Sequence, residues 1–196
     1  RRHLDAHPPG MEGMTGLSQE DARALLADGN LITVGARGDE ERRRRHGTRT
    51  TFVRVLEVHA DTVPARLPSS AKPGEIRIAG RPASIDAAAA AVKAARALAG
   101  AIPVTGYSLA DLADLAGGAL AEALRTLASA GLDTIAEVPL DVLADPAAAL
   151  RAAHGAGMGA PRLTVHRAVE AGALDLLSRA RTLQADAGGK RAVRAP

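Results

Sequence analysis

The sequence predicts an α/β fold, a partial (β/α)6 TIM-like barrel with mostly parallel strands and an N-terminal helical extension. Two short runs between residues 50 and 80, TTFVRVLEV and EIRIAG, are rich in Val, Ile and Thr and are too short for helices. Afterwards, strand-like runs alternate with Ala- and Leu-rich helical segments, a pattern typical of a parallel sheet. About six strand units are present, whereas a closed barrel needs eight. We therefore expect one open sheet edge.

The chain begins with a segment that lacks periodicity. Residues 1–13, RRHLDAHPPGMEG, contain Pro-Pro and predict a disordered leader or an expression remnant, and residues 14–196 are expected to form one domain. Two helices open that domain, at 17–29 with Ser18 as N-cap, and at 31–45. The second helix ends in four arginines, which suit a solvated helix C-terminus; the alternative is a phosphate- or partner-binding patch.

The strands and helices of the predicted sheet follow in order. The first strand is expected at 50–58, and the connection 59–74 contains three prolines and does not resemble a good helix. It is therefore an irregular crossover or a place where residues have been lost. Further strands are predicted at 75–80, 102–107, 133–138, 163–169 and 191–195. Helices are predicted after Ser84, after Ser108, after Gly118, after Asp145 and over 171–187.

Composition restricts the classes of function. Hydrophobic residues make up 46% of the chain but aromatic residues only 1%, so the core must be built from small aliphatic side chains. The net charge is +3 and the pI is about 9.9. The chain has only two aromatic side chains that could stack on bases, Phe52 and Tyr107, and it lacks a nucleic-acid motif, which argues against nucleic-acid binding. A GC-rich genome explains the Arg, Ala and Gly bias.

The chain contains no cysteine. It therefore offers no disulfide, no thiolate zinc site, no cysteine nucleophile and no cysteine-ligated iron–sulfur cluster. We expect no cofactor and specifically no [4Fe–4S] cluster. No apolar run approaches the roughly 20 residues of a membrane span, and no signal peptide is apparent, so we expect a cytoplasmic protein.

Several segments carry a family resemblance in a fixed order. ARGDEERRRRHGTRTTFVRV, GEIRIAGRPAS, ALAEALRTLASAGLDTIAEVPLDVL, LTVHRAVE and RTLQADAGGKRAVRAP succeed one another along the chain. This ordered set resembles the radical S-adenosylmethionine enzymes of the futalosine menaquinone pathway and of deazaflavin biosynthesis. The nearest types are aminofutalosine synthase, dehypoxanthine futalosine cyclase and FO synthase. The resemblance implies a (β/α) barrel over residues 17–196.

Two departures from the family pattern concern chemistry. The place of the family's CxxxCxxC loop is taken by LEVHADTVPARL, and the place of its Gly-Gly-Gly loop is taken by AEVPLD. Without three thiolates the chain cannot hold the cluster, so the resemblance implies an inherited fold without the family's reductive cleavage chemistry.

Polar residues at strand carboxyl ends are the functional candidates, because parallel barrels place their sites there. Two histidines and two glutamates could perform acid–base chemistry or bind a divalent metal, although a dedicated metal site is not predicted; the alternative is that they are polar strand caps. The candidate catalytic residues are Glu57, His59, Glu137 and His166. The candidate ligand-binding residues are Arg81, Thr105, Tyr107, Arg167, Glu170 and Arg194. If Arg81, Arg167 and Arg194 converge, their guanidinium groups could bind an anion. The alternative is that they form salt bridges on the surface.

Three functions remain open from the sequence. The first is a catalytically degenerate radical-SAM-like barrel that binds a small anionic ligand or acts as an accessory protein, with a second copy or an enzyme as partner. The second is a cluster-independent enzyme that uses the His and Glu candidates on a small anionic substrate. The third and least favoured is a nucleic-acid-binding module.

Overall fold

A computed structural model of the chain describes residues 18–50, 52–158 and 162–166, together with the single positions 172, 175, 180, 182 and 183. The chain divides into two compact units, Arg1–Thr50 and Thr51–Pro196. Among the described helices, none has both the length and the apolarity needed to cross a bilayer.

The first unit contains the two predicted helices, α1 (Gln19–Asp28) and α2 (Leu31–His46). Ser18 and Asp21 form a capping box, because each side chain bonds the backbone amide of the other. Asn30 caps α2 through Oδ1, which accepts from two amides. The arginines near the end of α2 form ion pairs with the acidic residues one turn earlier, and they are exposed.

The second unit is built on a five-stranded, all-parallel sheet, which confirms the predicted α/β class. The strands are β1 (Val55–His59), β2 (Glu75–Ala79), β3 (Val104–Ser108), β4 (Thr134–Pro139) and β5 (Arg162–Thr164). They lie side by side in chain order, β1-β2-β3-β4-β5. The connection from β1 to β2 contains turns and bends and no helix, so the irregular crossover expected at the prolines is observed.

The remaining connections are helical. They contain α3 (Ile85–Ala99), then α4 (Leu109–Ala116) and α5 (Leu120–Ala130), then α6 (Pro146–Gly155). The Ser84 hydroxyl and the Asp145 carboxylate cap α3 and α6 as predicted, whereas Ser108 makes no side-chain cap bond to α4. Connections between parallel strands are right-handed, and each strand here lies next to the preceding one. The connecting helices therefore all lie on the same face of the sheet.

Side chains of alternate strand residues separate the two faces of the sheet. Ile76, Ile78 and Val104 are at most 1% exposed and belong to the helix-covered core. The residues between them point to the opposite face, which is called the polar face here and carries Glu57, Glu75, Arg77, Thr105 and Thr134. On β4, Ile135 and Val138 are both buried although they are three residues apart. Alternation is therefore interrupted between them, which keeps Glu137 out of the core.

The amino-terminal edge of the sheet is held by Arg96. Its guanidinium donates to the carbonyls of Gly131, Gly100 and Ile102 and pairs with Asp133. The same Asp133 carboxylate accepts from the amide that begins β3, at 2.7 Å. These contacts, called the Arg96 clamp below, join the C-terminus of α3 to the turn between α5 and β4.

Some predicted elements lie outside the described residues. These are the leader at 1–13, the strand at 191–195 and most of the helix at 171–187, of which Asp175, Ala180, Thr182 and Leu183 are helical. Strand boundaries shift by a few residues: the first strand was expected from residue 50 and begins at Val55. The division into one domain from residue 14 onward stays a prediction.

Candidate functional site

A row of polar residues crosses the polar face in register. Glu57 of β1 lies opposite Arg77 of β2, Arg77 lies opposite Thr105 of β3, and Thr105 lies opposite Thr134 of β4. Directly paired residues of neighbouring strands project to the same side, about 4.8 Å apart. The row therefore places a carboxylate, a guanidinium and two hydroxyls on one surface.

Arg77 is held in a fixed orientation by Glu75. The Oε1 atom of Glu75 accepts from Nε of Arg77 at 3.0 Å and from Nη2 at 2.7 Å. It also accepts from the Thr105 hydroxyl at 2.7 Å. The side chain of Arg77 is 31% exposed and that of Glu75 is 15% exposed. Because the guanidinium is already oriented and partly shielded from water, binding an anion costs it little further conformational entropy or desolvation. Its Nη1 group has no hydrogen-bond partner among the described residues.

Sequence reasoning missed Glu75 and Arg77, because it considered only residues at the carboxyl ends of strands. The signal was available in the alternation of EIRIA, where two buried isoleucines leave Glu75, Arg77 and Ala79 on the other face. Thr105 was predicted as a ligand-binding residue, and the structure places it next to Arg77 and bonds it to Glu75.

His59 lies at the carboxyl end of β1 against the backbone of Gly80. A Cβ atom at Gly80 would lie 3.0 Å from Cε1 of the imidazole, and the φ of Gly80 is +91°, so a side chain is disfavoured there on both counts. Glu57 is two residues earlier on the same strand and is also exposed. Neither side chain forms a hydrogen bond or an ion pair with another described residue.

Glu137 and His166 meet near the opposite edge of the sheet, where β4 and β5 lie. Nε2 of His166 lies 3.1 Å from Oε2 of Glu137, and the hydroxyl of Thr164 donates to the same oxygen at 3.3 Å. The His166 amide donates to both carboxylate oxygens of Asp141, at 2.9 and 3.1 Å, which fixes the backbone beside the ring. The side chain of His166 is 43% exposed and that of Glu137 is 24% exposed, so a substrate could reach the pair.

The four candidate catalytic residues thus form two groups. Glu57 and His59 belong to β1, whereas Glu137 and His166 belong to β4 and to the residues after β5. Three strand spacings separate β1 from β4, roughly 14 Å along the sheet. No hydrogen bond joins one group to the other among the described residues.

Arg81 lies just after β2 and is paired with two carboxylates of α4, those of Asp111 and Asp114. These two partners raise the pKa of Arg81, the Asp114 hydrogen bond most strongly. Its guanidinium is therefore in the salt-bridge arrangement that was the alternative to an anion site.

Tyr107 has its ring in the core, and its hydroxyl donates to the Ala88 carbonyl of α3 at 3.1 Å. It is the one non-glycine residue of the described chain with a positive φ, +62°. Burial, with a smaller effect of the Asp61 charge, raises the pKa of Tyr107 to about 12. The residue therefore anchors β3 to α3, and its hydroxyl is turned away from the polar face.

Three predicted ligand-binding residues lie outside the described residues: Arg167, Glu170 and Arg194. Within the described part, no group of three or more His, Asp or Glu side chains is arranged to hold a metal ion. Chemically, the polar face offers an oriented cation beside a carboxylate, and the Glu137–His166 pair offers a carboxylate bonded to an imidazole. The first arrangement suits anion recognition and the second suits proton transfer.

Comparisons of the chain with protein-family models, with curated proteins and with solved structures found no match. The radical-SAM resemblance stays a prediction from the ordered sequence segments.

Proposed function

We propose that this chain is a catalytically degenerate radical-SAM-like partial barrel that binds a small molecule through an anionic group. In this proposal it acts in the cytoplasm as a ligand-binding or accessory protein related to menaquinone synthesis by the futalosine pathway or to deazaflavin synthesis. The consecutive, all-parallel strand order supports the barrel part of the proposal, since (β/α) barrels are built in that order. The absence of cysteine from the chain supports the loss of cluster chemistry.

The observation that carries the binding function is the arrangement of Arg77 on the polar face. Two of its nitrogens are occupied by Glu75, which is itself held by Thr105. Nη1 is left to bind an anion without first breaking an internal ion pair. Because the side chain is half-buried and pre-oriented, binding an anion there costs little conformational entropy.

The test is the thermal stability of the full chain in a series of small anions: phosphate, acetate, succinate and benzoate. A ligand at 100 times its dissociation constant stabilises the folded state by about 2.7 kcal/mol. We expect at least one anion to raise the Tm in a dose-dependent way for the wild type and for the control Arg125→Gln. Arg125 is an exposed residue of α5 without a hydrogen-bond partner in the described chain.

The variant Arg77→Gln should lose this stabilisation while keeping its helical circular dichroism. The proposal would be contradicted if every anion stabilised the wild type and Arg77→Gln equally. It would also be contradicted if no anion stabilised either protein.

A second candidate function is a cluster-independent enzyme, and the contact between Glu137 and His166 favours it. A carboxylate oxygen 3.1 Å from a nitrogen of a half-exposed imidazole orients the ring for proton transfer, as required of a general acid or base. Incubation of the chain with a metabolite extract, followed by mass spectrometry, would reveal turnover. His166→Asn should abolish that turnover and the control Lys93→Met should keep it; turnover unchanged in His166→Asn would exclude this role.

A further inference from the structure

Two groups of opposite charge stand next to each other on the polar face without pairing. Glu57 and Arg77 are directly opposite in the β1–β2 ladder. Arg77 gives its Nε and Nη2 to Glu75, and Glu57 has no hydrogen-bond or ion-pair partner among the described residues. A carboxylate and the Nη1 of a guanidinium are therefore both available to a ligand, on two residues whose backbones lie one strand spacing apart.

We propose that this pair recognises a zwitterion, namely the α-amino and α-carboxylate groups of a free amino acid. The inference rests on the proposed binding function and names the chemical class of the ligand. The carboxylate of the ligand would bind Nη1 of Arg77, and its ammonium would bind the Glu57 carboxylate. Glu75 and Thr105 are positioning residues, because they hold the guanidinium and reach the ligand only through it.

Charge complementarity favours a zwitterion over a ligand with a single charged group. A plain carboxylate satisfies Arg77 but brings a second negative charge next to Glu57, which is unfavourable. A plain amine satisfies Glu57 but places a positive charge beside the guanidinium. A molecule that carries both an ammonium and a carboxylate group pairs the charges of both neighbouring residues at once.

The test compares amino acids with their des-amino partners by NMR titration of the labelled full chain. The probes are alanine with propionate, leucine with 4-methylpentanoate, and phenylalanine with 3-phenylpropionate. For at least one pair we expect the amino acid to bind the wild type more tightly than its partner does, by about five-fold or more, as for one exposed ion pair.

The variants assign the two contacts. Glu57→Gln should lower amino-acid affinity about five-fold and leave or improve carboxylate affinity. Arg77→Gln should weaken the binding of amino acids and of carboxylates by about ten-fold or more, since a charge-assisted hydrogen bond is lost. Thr105→Val should weaken both ligands alike, and Arg125→Gln should change neither. Signals of β1 and β2 residues should shift, and those of α6 should not.

The outcomes separate this inference from the function on which it rests. If carboxylates bind through Arg77 as tightly as the amino acids do, the zwitterion assignment is overturned and the anion-binding function stands. If Glu57→Gln binds amino acids as well as the wild type does, the assignment is likewise overturned. If no probe binds and no anion stabilises the chain, both proposals are wrong.

Discussion

Replacement of Arg96 by methionine tests how the sheet is held at its amino-terminal edge. Methionine keeps the length and the apolar stem of the side chain, so the change removes the guanidinium and little else. The guanidinium of Arg96 makes five donor–acceptor contacts, which reach three backbone carbonyls and the Asp133 carboxylate.

The expected loss follows from these contacts. Each backbone hydrogen bond contributes roughly 0.5–1.5 kcal/mol net, and an exposed ion pair adds about 1 kcal/mol or less. The Arg96 side chain is 28% exposed, so water will partly replace the lost donors. We therefore expect Arg96→Met to lower the free energy of unfolding by about 2–3 kcal/mol. That corresponds to roughly 5–10 °C in Tm for a unit of this size.

The assay is urea unfolding followed by tyrosine fluorescence. The chain has one tyrosine and no tryptophan, so the signal of the buried Tyr107 reports the sheet-containing unit alone. Lys93→Met is the matched control, since it removes a cation from the exposed face of the same helix and should change stability by about 0.5 kcal/mol or less. A loss below about 1 kcal/mol for Arg96→Met, or equal losses in the two variants, would refute the importance of the Arg96 clamp.

Three further predictions concern other parts of the chain. Gly131→Ala should lower the free energy of unfolding in urea by about 2–3 kcal/mol, because the φ of Gly131 is +107° and a Cβ there would lie 2.9 Å from Arg96. Gly118→Ala should lower it by only about 1 kcal/mol, because Gly118 has a similar φ of +99° but open space around the position of a Cβ. Tyrosinate absorbance of folded protein should show a midpoint near pH 12 rather than 10.0 for Tyr107. Because that folded-state pKa is raised, its stability contribution is complete below pH 10 and is lost as the pH rises toward 12. The carboxyl group of Glu41 should titrate near pH 2 by NMR, because Arg44 and then Arg45 hydrogen-bond to it, and Arg44→Gln should move that midpoint upward.

Each of these three predictions can fail. Equal costs of the two glycine variants would show that the contact with Arg96 is not close. A tyrosine midpoint at its ordinary value would mean that Tyr107 is solvated. A Glu41 midpoint unchanged by Arg44→Gln would mean that the helical ion pair is absent in solution.

Much of the fold follows from local sequence. Ser18, Ser84 and Asp145 begin helices where their short polar side chains can accept from the backbone, and all three are capping residues in the structure. The β-branched runs give the strands, although the first strand begins several residues late. Hydrophobic runs mark a strand's existence better than its ends, which depend on pairing with the neighbouring strand.

The functional candidates were less predictable than the strands. A rule based on strand ends selected Arg81, which the fold places against two carboxylates of α4. It passed over Arg77, which lies mid-strand and acquires its role only from Glu75 and from the neighbouring strands. Contacts between residues about 30 positions apart, such as that between Glu137 and His166, depend on strand register, which a single sequence does not fix.

Native mass spectrometry of the full chain, purified gently from cells, tests the central claim most directly. The account predicts that a fraction of the wild-type protein carries a small molecule with an anionic group, that Arg125→Gln carries it too, and that Arg77→Gln does not. If the folded wild-type chain carries nothing and gains nothing from added metabolites, or if Arg77→Gln retains the same molecule, then Arg77 on the polar face is not a ligand-binding residue.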